Sequence, residues 1–176
     1  MTNCSTRKNQ NDFYQENANI NLFAFVGEKI SVIEFDPNAE SKDVMEIDSI
    51  TGETIIRKRH IMDRGFRCKY VVKKNIFNKL ESDTVNFVAY DHYGRPNFEK
   101  SKFVLLYISK NKDKNHYFHQ KYQFDALEIE NGNYYGEIFK RKNSVWVSHR
   151  KKVSVKELFE WKKKNEFQDI FQGNAR

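Results

Sequence analysis

The chain is poor in the residues that cross-link or punctuate a protein. Two cysteines among 176 residues exclude a disulfide framework. Two prolines and seven glycines leave no Pro-rich or Gly-rich linker at which to divide the chain into two domains. No apolar run approaches the ~18 residues that a membrane-spanning helix needs. A glycine-rich phosphate cradle, a glycine-flanked nucleophilic serine and a helical zinc-protease motif are all missing. The sequence is therefore read as non-enzymatic, with no cofactor and no metal implied.

Rings and basic residues are plentiful. Fifteen phenylalanines and nine tyrosines suit a core built largely from aromatic side chains, and the length is sufficient to bury one. The net charge of +7 comes from 31 basic residues interspersed with 24 acidic ones. Basic runs at residues 57–59, 140–142, 149–152 and 162–164 have two readings: a solvated face, or contacts to phosphate or an anionic surface.

Period-two alternation marks the strands. Phe66, Cys68, Tyr70 and Val72 fall on one face of a segment whose other face carries Arg67, Lys69 and Lys73. Residues 84–90 repeat the pattern, and residues 103–108 are apolar enough to be buried on both faces. Residues 20–35 read as one long strand interrupted at Gly27, where a bulge or sharp bend lets a sheet curl into a barrel. Residues 39–64 have two readings: a small hairpin with its turn near Thr51 and Gly52, or an excursion over the barrel. Residues 117–129 and 134–139 form a hairpin across Asn131-Gly132, a pair that favours positive φ. A short strand at residues 145–147 then closes the sheet.

The pattern next changes period. Ser154 and Glu157 form a capping box ahead of a helix over residues 155–171, with Gly173 placed to stop it. Val155, Leu158 and Phe159 face one way, while Phe167, Ile170 and Phe171 are rotated from them, so a bend is expected. The organisation is thus a flexible polar leader (1–17), a β-barrel domain (18–152) and a C-terminal helix packed on it (153–173).

The two cysteines differ in setting. Cys68 shares a face with Phe66 and Tyr70 and reads as a buried core thiol. Cys4 precedes a polar stretch without periodicity, the arrangement with which a mature bacterial lipoprotein begins: an acylated cysteine followed by a tether. A free cysteine in the tail of a cytoplasmic protein would look the same. The first reading places the chain at a bacterial cell envelope, held to the membrane by lipid on Cys4.

Four segments together resemble a known family. Phe25-Val-Gly-Glu-Lys-Ile-Ser-Val32, Phe66-Arg-Cys-Lys-Tyr-Val-Val72, Asp83-Thr-Val-Asn-Phe87 and Lys102-Phe-Val-Leu-Leu-Tyr107 are similar to the strands of tissue-inhibitor-of-metalloproteinase-like, or netrin-module-like, OB-fold proteins. The resemblance implies a mainly β fold: an antiparallel OB-like β-barrel, here followed by the C-terminal α-helix. The inhibitors in that family use a disulfide-held N-terminal cysteine. Here Cys4 is distant from the first strand and the partner cysteines are absent, so the barrel carries over and the inhibition does not.

The densest polar-aromatic segment is residues 89–97. Asp91, His92, Tyr93 and Arg95 are the candidate binding residues, set against a well-made turn in which Asp91 bonds its own backbone and Gly94 supplies a positive φ. His116 and His119 invite a metal reading, but on a strand residues three apart point to opposite faces, and no carboxylate or thiolate completes a site. Tyr134, Tyr135, residues 140–142 and Trp146 supply rings and cations for single-stranded nucleic acid. The expected function is an envelope binding or interaction module for an unknown protein or small molecule, with a single-strand-binding barrel as the alternative.

Overall fold

The computed structural model describes residues 13–39, 44–57, 60–111, 113, 116–142 and 145–172. Nine strands precede two short helices: β1 (Phe23–Phe35), β2 (Val44–Ile47), β3 (Thr54–Arg57), β4 (Arg64–Phe77), β5 (Thr84–Asp91), β6 (Phe103–Asn111), β7 (His116–Glu130), β8 (Asn133–Lys142), β9 (Val145–Ser154), α1 (Val155–Asn165) and α2 (Gln168–Phe171). A 3-10 helix, Asn97–Lys100, lies between β5 and β6.

The fold is mainly β. Seven strands form one sheet in the order β5-β4-β1-β6-β7-β8-β9, antiparallel between neighbours. A short parallel pairing of β5 with β7, Phe87 beside Tyr117 and Val88 beside Phe118, closes five of these strands into a ring. β2 and β3 form a separate hairpin between β1 and β4.

Alternation fills the ring. Phe66, Cys68 and Tyr70 from β4, with Val85, Phe87 and Ala89 from β5, point inward to meet Phe25, Val104, Leu106 and Ile108. The register of β1 against β4 shifts between Val26 and Gly27, at the interruption expected from the glycine. Phe98 of the 3-10 helix plugs one end, its ring about 6.1 Å from those of both Tyr70 and Phe87.

A second core lies outside the ring. Leu105 and Tyr107 alternate with the inward residues of β6 and so face outward, which is why this strand is apolar on both faces. They pack with Ala24, Val26, Phe77 and Leu127 under β9 and α1. The helix starts where expected: Ser154 accepts from the Glu157 amide, and the Glu157 carboxylate accepts from the Ser154 amide. It breaks after Asn165 and resumes as α2, which lets Phe159 and Phe171 both reach Phe77.

Two stretches differ in extent from the sequence reading. β9 runs ten residues rather than three, because its basic stretch pairs with β8 through Ser154. Residues 13–17 lie against the body: Gln15 donates from its amide to the Ile76 carbonyl and accepts from Asn78, and Phe13 packs on Phe159. Cys4 and Gly173 fall outside the described residues. Among the described residues no helix is long and apolar enough to cross a membrane.

Candidate binding face

The turn after β5 is built as a self-contained unit. Asp91 Oδ1 accepts from the Tyr93 amide at 2.8 Å, and Gly94 adopts φ +132°. Arg95 donates to both carboxylate oxygens of Glu99, at 2.7 and 2.8 Å, and to the Val32 carbonyl at 2.9 Å. Asp91 and Arg95 therefore shape the turn and fasten it to β1 and the 3-10 helix. His92 and Tyr93 project from it.

These two side chains meet residues that the sequence did not single out. His92 Nδ1 is 3.3 Å from Asp63 Oδ1, and Lys121 Nζ is 2.5 Å from Asp63 Oδ2. The hydrogen bond from Lys121, with the nearby charge, holds the Asp63 carboxyl below its ordinary range despite some desolvation. Tyr93 is 87% exposed, and its ring centre is 6.3 Å from that of Tyr122. Tyr122 has φ +65°, a conformation costly for a ring-bearing residue. The cause is a bulge in β7: Ile108 pairs with His119, but Leu106 pairs with Phe124, so the residues between are thrown outward. The inward residues His119 and Phe124 are an odd number apart, and this break in period two is the sequence signal that could have revealed the bulge.

Beside this shelf lies the outer face of β1, β4, β5 and β7. The register sets it out in rows. Ser31 pairs with Lys69 and Lys69 with Asn86; Ile33 pairs with Arg67, Arg67 with Val88 and Val88 with Phe118; Phe35 pairs with Gly65 and Gly65 with Tyr90. Gly65 is required: a Cβ there would lie 2.6 Å from the Phe35 ring. Its absence lets Phe35 lie across β4, with the Arg67 guanidinium 4.3 Å from its centre and the Tyr90 ring at 6.3 Å.

This face contains a groove of about 450 Å³, lined by Arg67, Lys69, Asn86, Val88 and His116 among others, and no lining residue is acidic. A second cleft of about 520 Å³ follows across the β5–β7 seam, lined by Ile61, Asp63, Tyr90, Phe118 and Lys121 among others. His116 is exposed and His119 is buried, on opposite faces as a strand requires. Among the described residues no three His, Cys, Asp or Glu side chains converge on a point where a metal could sit.

The ring interior offers little acid–base chemistry. Burial pushes the Cys68 thiol up to about 12 and raises the Tyr70 phenol as well, so neither ionises near neutral pH. Tyr134 packs on Phe103 in the second core, while the side chains of residues 139–150, including the basic run and Trp146, lie outside the described residues. Compared with models of known families, with curated proteins and with solved structures, the chain matches none.

Proposed function

We propose that this chain is a non-enzymatic binding module whose ring acts as an OB-type barrel and whose outer face on β1, β4, β5 and β7 receives an extended anionic ligand. The observation that carries the reading is the groove with Arg67, Lys69 and His116 and no carboxylate, next to the exposed rings of Tyr90 and Phe118 in the adjoining cleft, where Asp63 is paired with Lys121. Cations on a rigid sheet attract an anionic chain, and rings beside them hold its flat or apolar parts. The ring order β5-β4-β1-β6-β7 with one parallel closure supports the OB-type reading and the resemblance to tissue-inhibitor-like barrels.

The site of action in this reading is a bacterial cell envelope. Its support is Cys4 ahead of a polar stretch. Expressed from its full reading frame, the chain then partitions with membranes, and Cys4→Ala releases it. A wild-type chain that stays entirely in the soluble fraction contradicts the envelope assignment.

Single-stranded nucleic acid is the second reading, favoured by Tyr90 and Phe118 standing next to cations in adjacent rows. Fluorescence anisotropy with a labelled sulfated polysaccharide and a labelled oligothymidine tests both. Binding that weakens with salt and is lost in Arg67→Glu/Lys69→Glu is expected for at least one polymer. Dependence on Tyr90 and Phe118 with the oligonucleotide alone selects the second reading. Failure of both polymers to bind contradicts the proposed face.

A further inference from the structure

The end of the ring that Phe98 plugs holds a small pocket. It has a volume of about 220 Å³ and lies between the turn after β5 and the bulge in β7, with Ala89, Pro96, Phe98, His119, Tyr122 and Phe124 in its walls. Phe98 connects the rings: its centre is 4.8 Å from that of His119 and 6.1 Å from that of Phe124. A cavity of roughly 150 Å³ already holds benzene, and the mouth of a β-barrel is a usual place for a small ligand.

Of the polar side chains in this lining, His119 alone is buried. Its Nε2 donates to the Gln123 carbonyl at 2.8 Å, and burial keeps the imidazole neutral near pH 7. One proton on Nε2 leaves Nδ1 as an acceptor, and among the described residues nothing donates to it. A buried acceptor without a donor costs free energy that a ligand supplying the donor recovers. Asp91 also lines the pocket; its Oδ1 takes the Tyr93 amide, while its Oδ2 has no partner among the described residues. A carboxylate in this position repels an anion.

Tyr122 supplies a third observation. Its φ of +65° is costly, yet its ring lines the pocket, with the Tyr93 ring at 6.3 Å and the Lys121 ammonium at 5.3 Å. Strain of this kind collects where a side chain must be held for a ligand.

We propose that this pocket binds a small uncharged planar aromatic molecule of the phenol class, its ring against Phe98 and Phe124 and its hydroxyl donating to His119 Nδ1. The pocket shares Tyr90 and His119 with the cleft at the β5–β7 seam, so the two adjoin. The proposal does not rest on the anionic ligand, because a neutral ring uses none of Arg67, Lys69 or His116.

Amide chemical-shift titration of the full chain with phenol, and separately with toluene, tests the proposal. Saturable phenol shifts are expected at residues 89–91, 97–98 and 119–124, with a Kd on the order of 1 mM. Toluene, which carries a methyl group in place of the hydroxyl, should bind about tenfold more weakly. Tyr122→Gly suits the positive φ, so it should melt no lower than the wild type while binding phenol about fivefold more weakly. His119→Leu removes the acceptor and should bring phenol to the affinity of toluene. Arg67→Glu/Lys69→Glu should leave phenol binding unaltered; its loss there assigns phenol to the polymer face and overturns the proposal. So do an absence of saturable shifts, shifts centred elsewhere, equal binding of the two compounds, or undiminished phenol binding by both Tyr122→Gly and His119→Leu.

Discussion

The imidazole of His119 lies 4.8 Å, centre to centre, from the ring of Phe98, with its Nε2 2.8 Å from the Gln123 carbonyl. This places a titratable group beside the aromatic plug of the ring, under the bulge that carries Lys121 and Tyr122. Burial lowers its pKa to about 4, against which the hydrogen bond to Gln123 works only partly. In the unfolded chain the same group titrates near 6.5. Between these values the unfolded state binds the extra proton, so stability is full above about pH 6.5 and falls as pH drops towards 4. The shift corresponds to about 3 kcal/mol. Urea denaturation across this range is expected to show that loss in the wild type and a flatter profile in His119→Gln. An unchanged slope in the variant assigns the acid sensitivity to other groups.

Helix α1 is tied to the ring through charge. Lys162 Nζ is 3.6 Å from Asp125 Oδ1, and the Tyr107 hydroxyl donates to Asp125 Oδ2 at 2.9 Å. Both charged side chains are largely withdrawn from water. Lys162→Met is therefore expected to cost about 3 kcal/mol, because it leaves a buried carboxylate without its cation. Asp125→Asn in the same chain should recover part of the loss. Chemical denaturation of the single and double variants measures both, and an additive double variant contradicts the coupling.

Gly65→Ala should reorganise the outer face. The added carbon meets the Phe35 ring, which must move off β4 and away from Arg67. The expected cost is about 1–3 kcal/mol, together with weaker polymer binding. A variant with lower stability but unaltered affinity removes Phe35 from the proposed face.

The cap of α1 is tested by Ser154→Ala, which removes the acceptor for the Glu157 amide. A loss of about 1 kcal/mol is expected in thermal or urea melts. A neutral effect means that β9 and the apolar face of α1, rather than the cap, set the start of the helix.

Local order was legible in the sequence, and long-range closure was not. The alternation at Phe66, Cys68 and Tyr70 assigns an inner face because a strand has no other way to distribute those side chains. Asn131 and Gly132 both adopt positive φ, as their turn demands. The meeting of Asp63, His92 and Lys121 depends instead on closure of the ring and on a bulge four strands downstream. No local spacing encodes that meeting. The Arg67–Phe35–Tyr90 stack likewise needs the register across Gly65 before it exists. The length of β9 was hidden because its basic run lacks alternation and is specified by its pairing with β8.

Amide chemical-shift mapping tests the proposed face most directly. The labelled chain is titrated with whichever of the sulfated polysaccharide and the oligothymidine binds more tightly. The account predicts perturbations concentrated on residues 31–35, 65–69, 86–90 and 116–118, with the outer core under α1 unchanged. Perturbations confined to α1 and β9, with those four segments silent, would contradict it.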